Sequence, residues 1–173
     1  MWKRTWMIGS VMAFMLLVAA PVGAGPKGTD RPFWGQATGE VTFAFGPECT
    51  TGPIVTTTAS GKATHMGRVT AVWNQCAIGS TGGWTGQTAT IEAANGDQLF
   101  LEGTNPDGAD PFWVTIVGGT GRFDGATGLI QASAIVVPEF LPPEVCTPTP
   151  LDPCFDPSVP WAWTGTLNGT IDY

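Results

Sequence analysis

Charged side chains are scarce in this chain of 173 residues, because Asp, Glu, Lys and Arg make up only 12% of it. Seven of these residues are basic and fourteen are acidic. A surface with so few positive charges repels nucleic acid and anionic membranes. We therefore expect no nucleic-acid partner and no association with a membrane once the chain is exported.

Metal-ligand patterns and helical periodicity are also missing. The chain has one histidine and four cysteines without a Cys-x-x-Cys spacing, so we predict no zinc site and no other metal.

No stretch shows a sustained apolar period of about 3.6 residues. Gly, Thr, Trp and Val are plentiful instead. This balance favours an all-β fold with short strands and many turns.

The N-terminus has the pattern of a secretory signal peptide over residues 1–24. Lys3 and Arg4 precede an apolar run over 7–20, and small residues follow at 22–24. The run is shorter than the ~20 residues that span a bilayer, which argues against the alternative of a membrane anchor. We predict a secreted or periplasmic protein whose mature part, 25–173, is a single domain with a net charge of −9.

An exported chain with four cysteines is expected to contain two disulfides. Three pairings are possible, and we favour Cys49–Cys76 together with Cys146–Cys154. The first would link neighbouring strands. The second would close a short loop inside the segment 138–160, which contains eight prolines. A loop of this length is either a functional lid or a decoration of the domain.

Alternating patterns and turn signals predict eight short strands. Hairpin turns are expected at Ser60-Gly61 and at Asn95-Gly96. Eight antiparallel strands can form a closed β-barrel or a β-sandwich, and their number alone does not choose between the two. The predicted strands lie near 33–45, 53–58, 62–75, 85–94, 97–103, 112–117, 129–137 and 161–171.

A turn crowded with glycine, 116–128, joins two of these strands. Its structural residues are Gly118, Gly119, Gly121, Phe123 and Gly125, with Phe123 expected to fold back onto the core. A nucleotide-binding glycine loop would require a helix after the glycines, whereas 129–137 has the composition of a strand. The strand, the Gly-Gly-Thr-Gly sequence, the Phe and the following strand resemble the signature turn of the allene oxide cyclase and dirigent barrels.

The resemblance implies an eight-stranded antiparallel barrel rather than a sandwich. Allene oxide cyclases close a ring in an unstable epoxide, and dirigent proteins hold phenoxy radicals while they couple. The resemblance therefore implies that this protein needs no cofactor. The resembling families also suggest a homo-oligomer such as a trimer. Because the resemblance is confined to the turn, it carries over no catalytic residue.

Two glutamates near the Asn95-Gly96 turn are candidate catalytic residues. A two-residue hairpin loop would pair Glu92 with Leu99 and place Glu102 on the opposite face. One of the two carboxylates would then point into the barrel, where burial raises the pKa as a general acid or base requires. The alternative is a glutamate at the wet rim. Both faces of this hairpin would carry apolar groups, which suggests that one face contacts a partner subunit.

The single histidine, His65, is a further candidate for catalysis or ligand binding. Simple alternation along 62–75 places it on the same face as Val69, Ala71 and Trp73. The small neighbours leave space for a ligand, and Trp73 offers a flat contact surface. A structural or exposed histidine is the alternative.

The sequence therefore predicts an exported barrel that binds a small hydrophobic molecule. The alternative is a cofactor-free cyclase or isomerase that acts on such a molecule. No nucleophile elbow or paired-carboxylate motif favours the enzyme, so the binding function is the preferred interpretation.

Overall fold

The structure, a computed structural model, describes residues 28–137 and 160–173. Eight antiparallel strands form a closed barrel in which each strand pairs with its sequence neighbours and the last strand pairs with the first. The predicted barrel is confirmed, and the sandwich alternative is wrong. The strands are β1 (Arg31–Ala44), β2 (Ile54–Ala63), β3 (Gly67–Ile78), β4 (Gly83–Ala93), β5 (Gln98–Asn105), β6 (Phe112–Gly119), β7 (Thr127–Val137) and β8 (Trp161–Asp172).

Side chains alternate between the barrel interior and solvent along each strand. On β3, Val69, Ala71 and Trp73 are buried, whereas Thr70 and Val72 are exposed. On β6, the side chains of Phe112, Val114 and Ile116 are buried by the same alternation. The interior of the barrel is thus the hydrophobic core.

One end of the barrel is closed by the glycine turn. A short 3-10 helix, Gly121–Phe123, folds Phe123 inward, and this side chain is 0% exposed. Its ring centroid lies 5.0 Å from that of Tyr173 near the C-terminus. Gly121 and Gly125 have φ values of +60° and +70°, a region that favours glycine. The turn residues named from the sequence therefore form a plug.

The β2–β3 hairpin turns later than the sequence predicts. β2 continues through Ser60 and Gly61 to Ala63, and the turn comprises residues 64–66. Gly61 lies inside the ladder, where a Cβ would stand 2.6 Å from the Cα of Ala37. This glycine allows a close approach of two strands and does not form a turn.

The β4–β5 hairpin differs from its predicted register by one residue. The Ala93 amide donates to the Asp97 carbonyl, and Gly96 has a φ of +87°. The loop therefore has three residues and ends in a left-handed glycine, which is the second common hairpin type. Glu92 pairs with Gln98 rather than with Leu99. Because side chains alternate between the two faces of a sheet, a shift of one residue in the pairing register changes which side chains of β5 share a face with those of β4.

The predicted disulfide Cys49–Cys76 is confirmed. It joins the segment between β1 and β2 to the end of β3. The predicted signal peptide, the segment 138–159, Cys146 and Cys154 lie outside the described residues. Among the described residues, no helix is long and apolar enough to cross a bilayer.

Candidate functional site

A cavity of about 410 Å³ lies inside the barrel, toward the end opposite the Phe123 plug. Its lining includes the C-terminal ends of β1, β3 and β7 and the N-terminal ends of β2, β4, β6 and β8, which meet at that end. Val137 and Pro160, which flank the segment outside the described residues, belong to the same end. Six aromatic side chains line the cavity: Phe43, Trp73, Trp84, Phe112, Trp161 and Trp163.

Small interior residues create the space. Gly35, Ala37, Ala71, Ala132 and Gly165 line the cavity, on strands β1, β3, β7 and β8. Large side chains fill the opposite wall, where the interior residues of β5 and of β6 beyond Phe112 are fully buried and do not border the cavity. The cavity is therefore displaced toward β1, β3 and β8. The filling side chains are Leu99, Leu101, Val114 and Ile116.

Three of the four ligand contacts predicted from the sequence border this cavity. Val69, Ala71 and Trp73 all belong to its lining. They follow one another at every second position of β3, as a strand requires. Trp73 contributes a large apolar surface, and Ala71 leaves space beside it.

Sequence reasoning missed a polar group inside the barrel. Gln87 is only 4% exposed, and its Nε2 donates to Oε1 of Gln75 at 2.8 Å. The pairing register of β3 with β4 shifts at Gln75, between Asn74 and Cys76, and that of β4 with β5 shifts between Trp84 and Gln87. Gly86, within the second shift, has a φ of +61°. Such a bulge changes which side chains point inward, so Trp84 and Gln87 both border the cavity although three positions separate them. A glycine inside a predicted strand was the available signal.

Ionisable groups lie at the borders of the cavity. Among the described lining residues, the charged ones are Lys62 and Asp110, and both are exposed. The Asp110 carboxylate accepts hydrogen bonds from Ser133 Oγ at 2.9 Å and from the Ala134 amide at 3.2 Å. No cluster of three or more potential metal ligands occurs in the part of the chain that the structure describes.

Comparisons with known proteins agree with this architecture. No protein-family model and no curated protein matches the sequence. The solved structure of the pterocarpan synthase dirigent protein GePTS1 superposes with a TM-score of 0.50 at 15% identity, over 83% of this chain and 86% of that one. The protein has the barrel fold of a dirigent protein. The pterocarpan synthase dirigent protein PsPTS1 gives a TM-score of 0.48 at 15% identity, over 82% of this chain and 97% of that one.

The family resemblance inferred from the turn 116–128 therefore pointed to the correct fold. Identity this low establishes the fold and assigns no functional residue.

The candidate glutamates of the dirigent-like barrel do not reach the cavity. Glu92 and Glu102 are both exposed on the outer face, where Glu92 Oε2 accepts a hydrogen bond from Gln98 Nε2 at 2.8 Å. The prediction that one of them points inward is wrong, because the three-residue loop shifts the register on which it rested. Ile91, Leu99 and Leu101 occupy the interior positions instead.

His65 lies in the β2–β3 turn with a φ of +65° and is exposed. Its Nε2 is 3.0 Å from the carbonyl oxygen of Pro32, and its ring centroid is 5.7 Å from that of Tyr173. This turn belongs to the closed end of the dirigent-like barrel. The predicted placement of His65 beside Trp73 is therefore wrong, because β2 extends to Ala63 and the turn ends the alternation.

Proposed function

We propose that the protein is an exported barrel that binds one small hydrophobic molecule in its interior cavity. The aromatic lining carries this proposal. A volume of about 410 Å³ lies within the range of small-molecule sites, roughly 300–1,000 Å³, and such sites are mostly apolar with a few polar groups. Four tryptophans and two phenylalanines supply flat surfaces that suit an aromatic or polycyclic ligand.

The disulfide of the barrel supports the proposal that the protein is exported. Disulfides such as Cys49–Cys76 form and persist in oxidising compartments. Together with the proposed signal peptide over 1–24, it supports a secreted or periplasmic location.

A cofactor-free cyclase or isomerase is the second candidate function. The observation that favours it is the fold shared with a protein described as a pterocarpan synthase. A cavity that orients a reactive molecule can accelerate ring closure through geometry alone. Binding is the better supported function, because neither exposed group at the cavity border, Lys62 or Asp110, has the buried setting that tunes a general acid or base.

Filling the cavity tests the binding function. We expect Ala71→Leu to weaken binding about tenfold or more, because it adds bulk inside a bounded space. Val72→Leu is the matched control, since Val72 is the next residue on β3 and is exposed. Tryptophan fluorescence during titration with fatty acids, phenolics and polyketide-like lactones measures the affinity, because four tryptophans line the cavity.

His65→Leu is a second control. We expect it to leave the affinity unchanged, because His65 is exposed in a turn at the closed end. Equal affinities for the unaltered protein and for Ala71→Leu would show that the ligand binds elsewhere. The absence of a fluorescence change with every ligand class would contradict the proposed function.

A further inference from the structure

We propose that Thr57 and Gln75 form a pair of hydrogen-bond donors that selects ligands with a carbonyl oxygen for the interior cavity. The inference rests on the proposed function, because it assigns a ligand chemistry to the same site. Both residues belong to the cavity lining, most of which is apolar. Thr57 is the decisive residue, because it is a polar residue that is only 6% exposed.

Thr57 lies on the interior face of β2. Val55 and Ala59, two positions before and after it, are buried with it, whereas Thr58 is exposed. Side chains two positions apart on a strand share a face, so the Thr57 side chain points into the barrel. Burying a hydroxyl group at such a position is costly unless it has a hydrogen-bond partner.

The Thr57 hydroxyl group has no partner within the part of the chain that the structure describes. Two side-chain polar atoms there are fully enclosed without a partner, and these are Trp84 Nε1 and Gln87 Oε1. The Thr57 oxygen is not enclosed in this way, so part of its surface is open. Because Thr57 faces the interior and lines the cavity, a ligand can reach this hydroxyl group.

Gln75 supplies the second donor. Its Oε1 accepts a hydrogen bond from Gln87 Nε2 at 2.8 Å, which orients the Gln75 amide. The Gln75 Nε2 has no partner among the described residues and is not enclosed either. An amide nitrogen is a donor only. Gln87 is thus a positioning residue, and the Gln75 nitrogen is left to donate to a ligand.

The pairing of β2 with β3 places the two donors close together. Val55 pairs with Gln75, and Thr57 pairs with Trp73. Thr57 and Gln75 are therefore diagonal neighbours on adjacent strands, with a spacing of about 7–8 Å. A carbonyl oxygen has two lone pairs and carries no proton, so it can accept from both donors at once. Trp73, between them on the same face, offers a flat surface to a ring attached to the carbonyl group.

Two probes of one shape test the inference by equilibrium dialysis. The first, 2-acetylnaphthalene, has a carbonyl oxygen, and the second, 2-isopropenylnaphthalene, has a CH2 group in its place. The measured quantity is the ratio of the ketone affinity to the hydrocarbon affinity. A comparison of this ratio between protein variants cancels the difference in hydration between the two probes.

Thr57→Val removes the hydroxyl group and keeps the shape of the side chain. We expect the affinity ratio to fall about fivefold, as the loss of one net hydrogen bond predicts, while the hydrocarbon binds as before. The urea midpoint of the ligand-free protein should not fall, because the hydroxyl group bonds to no described protein group. Thr58→Val is the matched control, since Thr58 is exposed, and it should preserve the ratio.

Gln75→Glu removes the second donor and keeps the acceptor for Gln87 Nε2. At a pH well above the carboxyl pKa, the side chain presents an oxygen to the ligand in place of the NH2 group. We expect the affinity ratio to fall about fivefold or more, because a donor is replaced by an acceptor. Thr57→Val decides the question if Gln75→Glu does not fold.

The outcomes separate the two proposals. If neither probe binds the unaltered protein, the proposed function fails, and this inference fails with it. If both probes bind but the affinity ratio survives in either folded variant, the pair of donors is wrong and the binding function stands. A lower urea midpoint for ligand-free Thr57→Val would assign the hydroxyl group to the fold and would also overturn the inference.

Discussion

At the scale of single residues, Asp97 and Arg122 connect three turns at the closed end of the barrel. Asp97 Oδ2 accepts hydrogen bonds from Arg122 Nε at 2.6 Å and from Asn95 Nδ2 at 2.8 Å. Arg122 Nη1 also donates to the His65 carbonyl at 2.9 Å. The hydrogen bond from Arg122, followed by that from Asn95, holds the pKa of the Asp97 carboxyl below its ordinary value of 3.8.

This pKa shift predicts an acid-sensitive contribution to stability. Because the folded-state pKa is lowered, the contribution is present above a pH of about 3.8 and is lost as the pH falls through the folded-state pKa. At neutral pH, we expect Asp97→Asn to lower the free energy of unfolding by about 0.5–1 kcal/mol, since the pair is partly exposed. Urea unfolding at neutral pH and at a pH well below 3.8 measures the difference.

Asp107→Asn is the control for this prediction, because Asp107 is an exposed carboxylate in another loop. It should change stability little at either pH. A destabilisation by Asp97→Asn that persists in full at low pH would contradict the electrostatic explanation.

At the scale of elements, glycines set the irregularities on which the site depends. Gly86 has a φ of +61° and nothing within 4 Å of a Cβ placed on it, so its backbone angle and not its space restricts this position. The bulge it forms directs Trp84 and Gln87 to the same cavity. The β4–β5 loop similarly ends in Gly96 at positive φ and sets the register of that hairpin.

We expect Gly86→Ala to lower the free energy of unfolding by about 1–2 kcal/mol, the usual cost of left-handed backbone for a residue with a Cβ. Gly86→Asn should cost less, because asparagine tolerates this region. Gly79→Ala is the matched control, since Gly79 also has open space around it but no positive φ. Equal urea midpoints for Gly86→Ala and Gly79→Ala would refute the role of the bulge.

At the scale of the whole molecule, the disulfides are expected to account for every thiol. Titration of the unfolded, unreduced protein should find almost no free thiol, because Cys49 pairs with Cys76 and we predict that Cys146 pairs with Cys154. Two reactive thiols would contradict the second pairing.

Replacing Cys49 and Cys76 together by alanine should lower the free energy of unfolding by about 3 kcal/mol, because the closed loop spans 27 residues.

The homo-oligomer stays a prediction, but its predicted surface changes. The outer face of β4 and β5 carries Thr90, Glu92 and Glu102 beside a half-buried Phe100, so this face is less apolar than the two-residue register predicted. Large exposed apolar side chains occur on β6 and β7 instead. They include Trp113, which is 54% exposed, Val117 and Leu129.

Light scattering at micromolar concentration tests this surface. We expect the unaltered protein to exceed the monomer mass of 18.1 kDa less any cleaved signal peptide. Trp113→Lys combined with Leu129→Lys should return it to a monomer, because buried charges without partners oppose association. Thr58→Lys, on the exposed face of β2, is the control and should leave the mass unchanged. A monomeric unaltered protein would contradict the prediction.

The sequence alone indicated the strand content and the inward Phe123, it favoured the Cys49–Cys76 pairing among three, and the family resemblance of the turn 116–128 favoured the barrel over the sandwich. These features depend on local patterns: alternation, glycine-rich turns and the spacing of cysteines. The tertiary structure decided where functional side chains point. A loop of three residues instead of two turned Glu92 and Glu102 toward solvent, and one bulge turned Trp84 and Gln87 inward. Alternation assigns faces by parity, so a single extra residue reverses every orientation beyond it.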